Sequence, residues 1–141
     1  MTFLRVVFGC QIVEAYGQTE TAGGGTMTWA SDMTSGHVGP VFNSCELMLK
    51  TVEDMNYTVN DKPYPRGEIC FRGNNIFKGY YKDEKKTEET FTEDGWLMTG
   101  DIGFIDNKGR VTIIDRKKSL FKLAQGEYIS PEKVSFPGSR F

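Results

Sequence analysis

A glycine-rich loop near the start of the chain carries the first residues that could do chemistry. Residues 16–21 read YGQTET and residues 22–26 read AGGGT, so hydroxyls, a carboxylate and glycines share one tight segment. Glycine allows a close backbone approach, and successive amide groups can form a nest that binds an anion. A carboxylate such as Glu20, placed beside phosphate oxygens, supplies a ligand of the kind that Mg²⁺ prefers. Considered alone, the segment is equally compatible with an ordinary glycine turn capped by threonine.

Two later segments carry charged groups that could bind a nucleotide. In the TGD segment at 99–101, the ionised carboxylate of Asp101 could accept hydrogen bonds from two ribose hydroxyls. The DRKKS segment at 115–119 places a basic cluster directly after a predicted strand. Each has a simpler interpretation, since Asp101 could be a turn aspartate and the basic cluster a solvated loop. Neither segment decides the function by itself.

The histidine content limits the nucleophilic mechanisms that this chain could support. His37 is the one histidine, so a Ser-His-Asp or Cys-His mechanism would have to use it. It lies in the turn-rich stretch SGHVGP at 35–40, and no nucleophile-elbow motif accompanies it. We therefore favour a structural or surface role for His37 over a catalytic one.

The composition argues against several other classes. The 17 basic and 19 acidic residues give a net charge of −2, so no basic excess is available to bind a nucleic-acid backbone. No apolar run reaches the roughly 18 residues of a membrane span. The three cysteines contain no CxxC metal pair, and their odd number argues against a disulfide framework and favours a reducing compartment. The 141 residues are enough for one ordinary domain.

The elements that must position these segments are predicted to be mostly β, because short apolar runs alternate with turn residues. Strands are predicted at 4–8, 45–52 and 68–72, and a hairpin at 97–105 and 110–115 with the turn DNKG between its strands. The charged segment at 82–91 predicts a surface helix. The candidate segments therefore follow or interrupt predicted strands.

The C-terminal residues contain a conflict between local signals. The SPE segment at 130–132 offers a capping serine, a proline at the first helical position and an acid in the first turn, which predicts a helix start. The PG pair at 137–138 follows within about two turns, too early for a helix of ordinary length. We expect that the natural sequence has been cut, or has changed reading, near Val134.

In this order and spacing, the segments together resemble the adenylate-forming acyl-CoA synthetases, and most closely the long-chain fatty-acid–CoA ligases of eukaryotes. The resemblance is carried by YGQTE at 16–20, RGEICFRG at 66–73, GYYK at 79–82, DGWLMTGD at 94–101, IDRKK at 114–118 and FKLAQGEYISPEK at 121–133. The last motif is typical of the long-chain branch. The resemblance extends over about residues 9–134.

The resemblance implies an α/β parent enzyme, of which this chain is a mostly β fragment. Residues 1–35 would end the large nucleotide-binding subdomain, and 36–115 would form a small β-barrel-like subdomain. Residues 116–134 would form the hinge and the start of the C-terminal lid, and 135–141 a divergent tail. The implied reaction joins ATP and a long-chain fatty acid into an acyl-adenylate with loss of pyrophosphate, after which coenzyme A displaces AMP.

The implied cofactors are ATP, Mg²⁺ and coenzyme A, and the implied partners are small-molecule substrates rather than nucleic acid. We expect no membrane anchor within this chain. The resemblance implies a parent enzyme on the cytoplasmic face of the endoplasmic reticulum, the mitochondrial outer membrane or the peroxisome.

The resemblance also implies a nucleotide-binding role for the first loop. Tyr16 would pack on the adenine, and Gly17 and Gln18 would belong to the same cofactor-binding loop. Thr19 would bond a phosphate oxygen, and Glu20 would hold Mg²⁺. Thr19 and Glu20 are thus implied to be catalytic.

Four residues toward the C-terminus complete the implied site. Asp101 would accept the ribose hydroxyls, and Arg116 would also approach the ribose. Lys118, implied to be catalytic, would occupy the hinge about which the lid rotates between the half-reactions. Gly126 would border the path of the pantetheine arm of coenzyme A. Trp96 and Tyr80 are left as structural.

Two motifs of the resembled family do not occur in this sequence. They are the phosphate loop with its lysine, and the lid lysine that stabilises the adenylation transition state. Charge developing on a transferring phosphoryl group needs such cations. We therefore expect that the chain alone does not ligate fatty acids to coenzyme A at a useful rate.

Two other interpretations remain open from the sequence. Another adenylate-forming enzyme, such as a shorter-chain synthetase or a peptide-synthetase adenylation domain, would keep the TGD motif but would be less expected to carry the segment at 121–133. A non-catalytic nucleotide-binding module is the second alternative. It would bind ATP or AMP without forming an adenylate.

Overall fold

In the computed structural model, the described residues are 1–117 together with 121–122 and 128–129. The elements are helix α1 (Thr2–Phe8), strands β1 (Ala15–Tyr16), β2 (Thr26–Met27), β3 (Cys45–Lys50) and β4 (Arg66–Gly73), helix α2 (Glu84–Thr90), and strands β5 (Leu97–Ile105), β6 (Val111–Arg116), β7 (Phe121–Lys122) and β8 (Tyr128–Ile129). Short 3₁₀ helices lie at Thr19–Thr21 and Glu53–Met55. The described part of the chain is therefore mostly β, as predicted.

The centre of the fold is an antiparallel sheet with the strand order β3-β4-β5-β6. Strand β4 is a central strand, and its Ile69, Cys70 and Phe71 are fully buried. Ile69 and Phe71 pack with Cys45 and Val111 in the hydrophobic core. Burial on both faces explains why the run ICF shows no alternation of apolar and polar residues.

Strand β5 contains an irregularity that positions part of the site. Glu68 pairs with Ile102 and Cys70 pairs with Met98, so residues 99–101 of β5 lie opposite Ile69 alone. Such a bulge leaves extra residues outside the regular ladder and changes the direction of their side chains. Gly100 has a positive φ of 75°, which glycine adopts without steric cost.

The first loop is held between β1 and β2, which pair antiparallel. The side-chain amide of Asn75 donates to the carbonyls of Thr21 and Gly24 at 3.1 and 2.8 Å. The amide of Phe77 donates to the carbonyl of Glu20 at 2.9 Å. The segment after β4 therefore fixes the loop against the central sheet.

The prediction of a strand at 4–8 is wrong, because these residues form α1. Gly9 ends the helix in the left-handed conformation at φ 58°, and its amide donates to the carbonyl of Arg5. A strand needs a neighbouring strand for its backbone hydrogen bonds, and residues 2–8 pair with none of the described strands. A helix satisfies the same groups locally. The helix buries none of its residues, and Phe3, Val6 and Phe8 are each more than 60% exposed.

The remaining predicted elements within residues 1–117 agree with the structure. The predicted strands at 45–52 and 68–72 correspond to β3 and β4, and the hairpin strands to β5 and β6. The predicted helix at 82–91 is α2, whose N-cap Asp83 accepts from the amide of Lys86. The barrel-like closure expected for 36–115 is not observed, because in the central sheet β3 and β6 are the two edge strands and do not pair.

Several sequence-based expectations lie outside the described residues. They are the helix start at 130–132, the tail at 135–141 and the candidates Lys118 and Gly126. Within the described part of the chain, Cys10, Cys45 and Cys70 are free thiols. Among the same residues, no helix has the length and apolarity needed to cross a membrane.

Candidate functional site

Three candidate residues from separate parts of the chain meet at one carboxylate. The hydroxyl of Tyr16, at the end of β1, donates to Oδ2 of Asp101 on β5 at 2.7 Å. Nε of Arg116, at the end of β6, lies 3.2 Å from Oδ1 of the same aspartate. Asp101 is 8% exposed, whereas the Arg116 side chain is 66% exposed. The aspartate is thus fixed from both sides, with the arginine on the solvent side.

The protonation state of Tyr16 follows from its surroundings. Burial is the main cause that raises the pKa of the Tyr16 hydroxyl far above its ordinary value, and the negative charge of Asp101 acts in the same direction. The phenol is therefore neutral and donates its proton to the carboxylate. The carboxylate keeps further lone pairs, so it can accept hydrogen bonds from a ligand as well.

A second polar cluster is built around Glu20. The hydroxyl of Tyr80 donates to Oε1 of Glu20 at 2.6 Å. Nζ of Lys86, on α2, lies 4.0 Å from the centre of the Tyr80 ring. The hydrogen bond from Tyr80 is the largest cause that lowers the pKa of Glu20, and Lys86 adds a smaller effect. Glu20 is therefore ionised at neutral pH.

A cleft of about 730 Å³ is lined by Glu20, Tyr80 and Lys86 of the second cluster and by Arg116 of the first, whereas Tyr16 and Asp101 are not among its lining residues. Its lining includes Gln18, Glu20, Glu68, Tyr80, Arg116 and Lys117. The lining therefore combines the carboxylate of Glu20 with the cations of Arg116 and Lys117 at the end of β6. This arrangement can hold a ligand that carries both hydroxyl groups and anionic oxygens.

The predicted site residues are distributed around this cleft as follows. Tyr16 and Arg116 each contact Asp101. Gln18, Glu20 and Arg116 line the cleft. Gly17 lies against the loop backbone, where a Cβ would approach the carbonyl oxygen of Gly23 to 2.6 Å. Thr19 is exposed and is not among the residues that line the cleft.

Sequence reasoning missed most of the residues that line the cleft, among them Glu68, Tyr80 and Lys117. Tyr80 was expected to be structural, and Glu68 and Lys117 received no role. Glu68 is 3% exposed and lies 3.1 Å from Nζ of Lys117. The available signal was the charged residue Glu68 at the first position of the predicted strand at 68–72, directly before the apolar run ICF. Carboxylates are rarely buried without a partner.

The chemistry of Glu20 can be compared with the needs of Mg²⁺. Among residues 1–117, no group of three His, Cys, Asp or Glu side chains could hold a metal ion. Mg²⁺ is commonly bound by one or two carboxylates together with substrate phosphates and water. One ionised carboxylate at the cleft therefore fits a Mg²⁺ that is bound together with a phosphate ligand.

Removal of the Tyr80 hydroxyl should change the titration of Glu20. We expect Tyr80→Phe to raise the pKa of Glu20 toward its ordinary value, because the largest stabilising contact of the carboxylate is lost. The wild-type carboxylate has a lowered pKa, so its contribution to stability is present above the ordinary pKa and is lost as the pH falls. NMR titration of the Glu20 side chain measures the change.

Tyr81→Phe is the matched control, since Tyr81 is 87% exposed and its ring is retained in the variant. It should leave the pKa of Glu20 unchanged. Equal Glu20 pKa values in wild type and Tyr80→Phe would contradict the assignment of the hydrogen bond.

His37 lies in a separate cluster that ties together the loop before β3. The amide of Gly39 donates to its Nδ1 at 3.1 Å, and its Nε2 lies 2.8 Å from Oγ1 of Thr34 and 3.3 Å from Oδ2 of Asp32. The side chain is 5% exposed and does not line the cleft. These contacts support the structural role expected for it.

Comparison with protein families identifies residues 1–81 as matching the family described as AMP-binding enzyme. Long chain acyl-CoA synthetase 7, peroxisomal, of Arabidopsis thaliana is 58% identical over 134 residues, which are 95% of this chain and 19% of that relative. Long-chain-fatty-acid–CoA ligase 5 of Mus musculus is 52% identical over 141 residues, which are 99% of this chain and 20% of that relative. The chain spans about a fifth of the length of these relatives.

Solved structures of proteins that bind AMP or ATP are similar in fold to this chain. One match is the A domain of carboxylic acid reductase from Segniliparus rugosus, solved in complex with AMP and a co-purified carboxylic acid. Its TM-score is 0.77 and its sequence identity is 32%, and the match covers 93% of this chain and 19% of that chain. Another match is O-succinylbenzoate coenzyme A synthetase from Bacillus subtilis, solved in complex with ATP and magnesium ion. Its TM-score is 0.76 and its sequence identity is 32%, and the match covers 94% of this chain and 27% of that chain.

Proposed function

The chain belongs to the family of AMP-binding enzymes, and from this premise we propose that it is part of a long-chain fatty-acid–CoA ligase. The complete enzyme would join ATP and a fatty acid into an acyl-adenylate and pyrophosphate. Coenzyme A would then form the acyl-CoA and release AMP. The identity of 52–58% to long-chain synthetases and ligases supports this substrate class.

The observation that carries the proposal is the meeting of Tyr16, Asp101 and Arg116. We assign Asp101 to the two ribose hydroxyls, because a carboxylate held in place by two partners can still accept both hydrogen bonds. Its contact with Arg116 supports a place for the arginine beside the ribose. The ring of Tyr16 would cover one face of the adenine, while its hydroxyl remains on Asp101.

The phosphate end of the nucleotide is assigned to the first loop. Thr19 would bond a phosphate oxygen, and Glu20 would hold Mg²⁺, which neutralises phosphate charge when it is bound. Gln18 lines the same cleft, and Gly17 allows the loop its close backbone packing. Lys118 at the hinge and Gly126 beside the coenzyme A path complete the proposed site.

We also propose the domain division expected from the sequence. Residues 1–35 would end the large nucleotide-binding subdomain, 36–115 would form the β-rich subdomain and 116–134 would lead into the lid, with a divergent tail at 135–141. The complete enzyme would act on the cytoplasmic face of the endoplasmic reticulum, the mitochondrial outer membrane or the peroxisome. The name of the Arabidopsis relative supports the peroxisomal option.

Calorimetric titration of the purified chain with AMP tests the nucleotide site directly. We expect saturable binding with one AMP per chain, because Asp101 and its two partners are already in contact without a ligand. Absence of binding to a folded chain would refute the assignment of the site. Binding of AMP, together with adenylate formation from ATP and a non-fatty carboxylic acid, would instead favour another adenylate-forming enzyme.

A further inference from the structure

Glu68 is a buried residue on β4 whose carboxylate contacts strand β5 and the residue that follows β6. Its Oε1 accepts a hydrogen bond from the amide of Gly100 in β5 at 3.1 Å. Its Oε2 accepts from Nζ of Lys117, which follows β6, at 3.1 Å. Only 3% of the Glu68 surface is exposed. One side chain thus bridges the central strand β4 to both segments that carry ribose-site residues.

The two residues that Glu68 contacts, Gly100 and Lys117, are sequence neighbours of Asp101 and Arg116. Gly100 precedes Asp101 inside the bulge of β5, where the regular ladder with β4 is interrupted. Lys117 follows Arg116, whose guanidinium pairs with Asp101. Fixing Gly100 and Lys117 therefore fixes the backbone on which both members of the Asp101–Arg116 pair are mounted.

Within the bulge, Thr99 and Asp101 are held by the hydroxyl of Thr99, whereas the amide of Gly100 is held by Glu68. The hydroxyl of Thr99 donates to the carbonyl of Ile69 at 2.8 Å and accepts from the amide of Asp101 at 3.1 Å. These bonds hold the two residues on either side of Gly100, and the Glu68 carboxylate holds the Gly100 amide itself. The carboxylate thus gives the Gly100 amide an acceptor within the protein, which favours the observed path of the bulge.

A second ion pair of the same sheet differs in the exposure of its carboxylate but little in that of its cation, since the Lys117 side chain is 43% exposed. Glu46 on β3 and Arg72 on β4 pair at 2.6 Å, but their side chains are 62% and 49% exposed. Exposed pairs of this kind contribute little. The Glu68 carboxylate is buried at 4% exposure, so loss of its partners would leave an uncompensated charge in the core.

We propose that Glu68 is a positioning residue of the ribose site: by holding the amide of Gly100 and the ammonium of Lys117, it keeps Asp101 aligned to receive the ribose hydroxyls. This inference rests on the proposed function. It predicts that loss of the Glu68 charge weakens nucleotide binding specifically through the ribose, without direct contact between Glu68 and the ligand.

The test compares two ligands on the full 141-residue chain by calorimetry. AMP carries both ribose hydroxyls, and 2′,3′-dideoxyadenosine monophosphate carries neither. Glu68→Gln keeps the size of the side chain and an acceptor for Gly100 but removes the charge that holds Lys117. We expect its affinity for AMP to fall about tenfold, the scale of one lost charged hydrogen bond, while its affinity for the dideoxy ligand stays unchanged.

Glu46→Gln is the matched control, since it removes a paired glutamate from the same sheet at an exposed position. It should bind both ligands as the wild type does. Thermal unfolding of each variant, followed by circular dichroism, establishes that the chains compared are folded.

The possible outcomes separate this inference from the proposed function. A wild-type chain that is folded but binds no AMP overturns both. Wild-type binding of AMP that is unchanged in Glu68→Gln overturns the positioning role alone. An equal loss of affinity for both ligands also overturns it, because a general structural defect does not distinguish the ribose hydroxyls. If Glu68→Gln fails to fold, Lys117→Met is titrated with the same two ligands, and an unchanged ratio of their affinities overturns the proposal.

Discussion

Replacing Asp101 by alanine should abolish AMP binding, with an affinity loss of about 100-fold or more. The carboxylate is assigned to two ribose hydroxyls, and charged hydrogen bonds of this kind are each worth about 1.5–3 kcal/mol. The truncation also leaves the Tyr16 hydroxyl without its acceptor and the Arg116 guanidinium without its anchor. Calorimetric titration with AMP measures the loss.

Two further variants, Asp101→Asn and Asp94→Ala, test whether the loss of AMP binding is due to the Asp101 carboxylate. Asp101→Asn keeps an acceptor for Tyr16 but removes the charge that pairs with Arg116, so an intermediate loss is expected. Asp94→Ala removes an exposed aspartate from the same DGWLMTGD motif and should bind AMP normally. Unchanged affinity in a folded Asp101→Ala chain would refute the ribose assignment.

Replacing Gly39 by alanine should strongly destabilise the fold, because the new methyl group would collide with the backbone. A Cβ at Gly39 would lie 2.1 Å from the carbonyl oxygen of Met27, and the residue has a φ of +80°. The clashing atom belongs to the backbone of β2, which cannot rotate away as a side chain can. We expect the free energy of unfolding to fall by about 3 kcal/mol or more.

Gly36→Ala separates the two causes of this loss. Gly36 also has a positive φ, of +89°, but a Cβ there would meet nothing within 4 Å. This variant should lose only the cost of the strained backbone, about 1 kcal/mol. Urea denaturation of both variants and the wild type measures the difference, and equal losses would show that the contact with Met27 is unimportant.

Gly39 lies in a loop whose backbone hydrogen bonds join two strands. Its carbonyl accepts from the amide of Val111 at 2.9 Å, and the amide of Val38 donates to the carbonyl of Val111 at 2.8 Å. The hydroxyl of Thr26 donates to the carbonyl of Val38 at 2.8 Å. The loop before β3 thus connects β2, which ends the first loop, to the start of β6.

Local chemistry was sufficient to predict the β5–β6 hairpin and helix α2. In the turn between β5 and β6, Oδ1 of Asp106 accepts from the amides of Lys108 and Arg110, and Gly109 adopts a φ of +74°. In α2, Asp83 caps the first turn. These features depend on residues within a few positions of one another, so the sequence pattern contains their cause.

The segment at 4–8 shows where local pattern reasoning fails. Its apolar residues are typical of a buried strand, but pairing and burial depend on what lies beside them. The described chain provides no strand partner there, and the backbone forms a helix that Gly9 ends. An apolar run of this length does not distinguish a strand from a short helix.

The sequence by itself determined the candidate chemical groups: the loop at 16–20, the aspartate of TGD and the basic segment at the end of β6. Only the tertiary structure decided which of these groups touch. Tyr16 and Asp101 are 85 positions apart and meet at 2.7 Å. Glu68 contacts Gly100 and Lys117, which are 32 and 49 positions away. The physical reason is that residue types and turns are fixed by short-range chemistry, whereas strand register, bulges and buried ion pairs depend on the packing of segments distant in sequence.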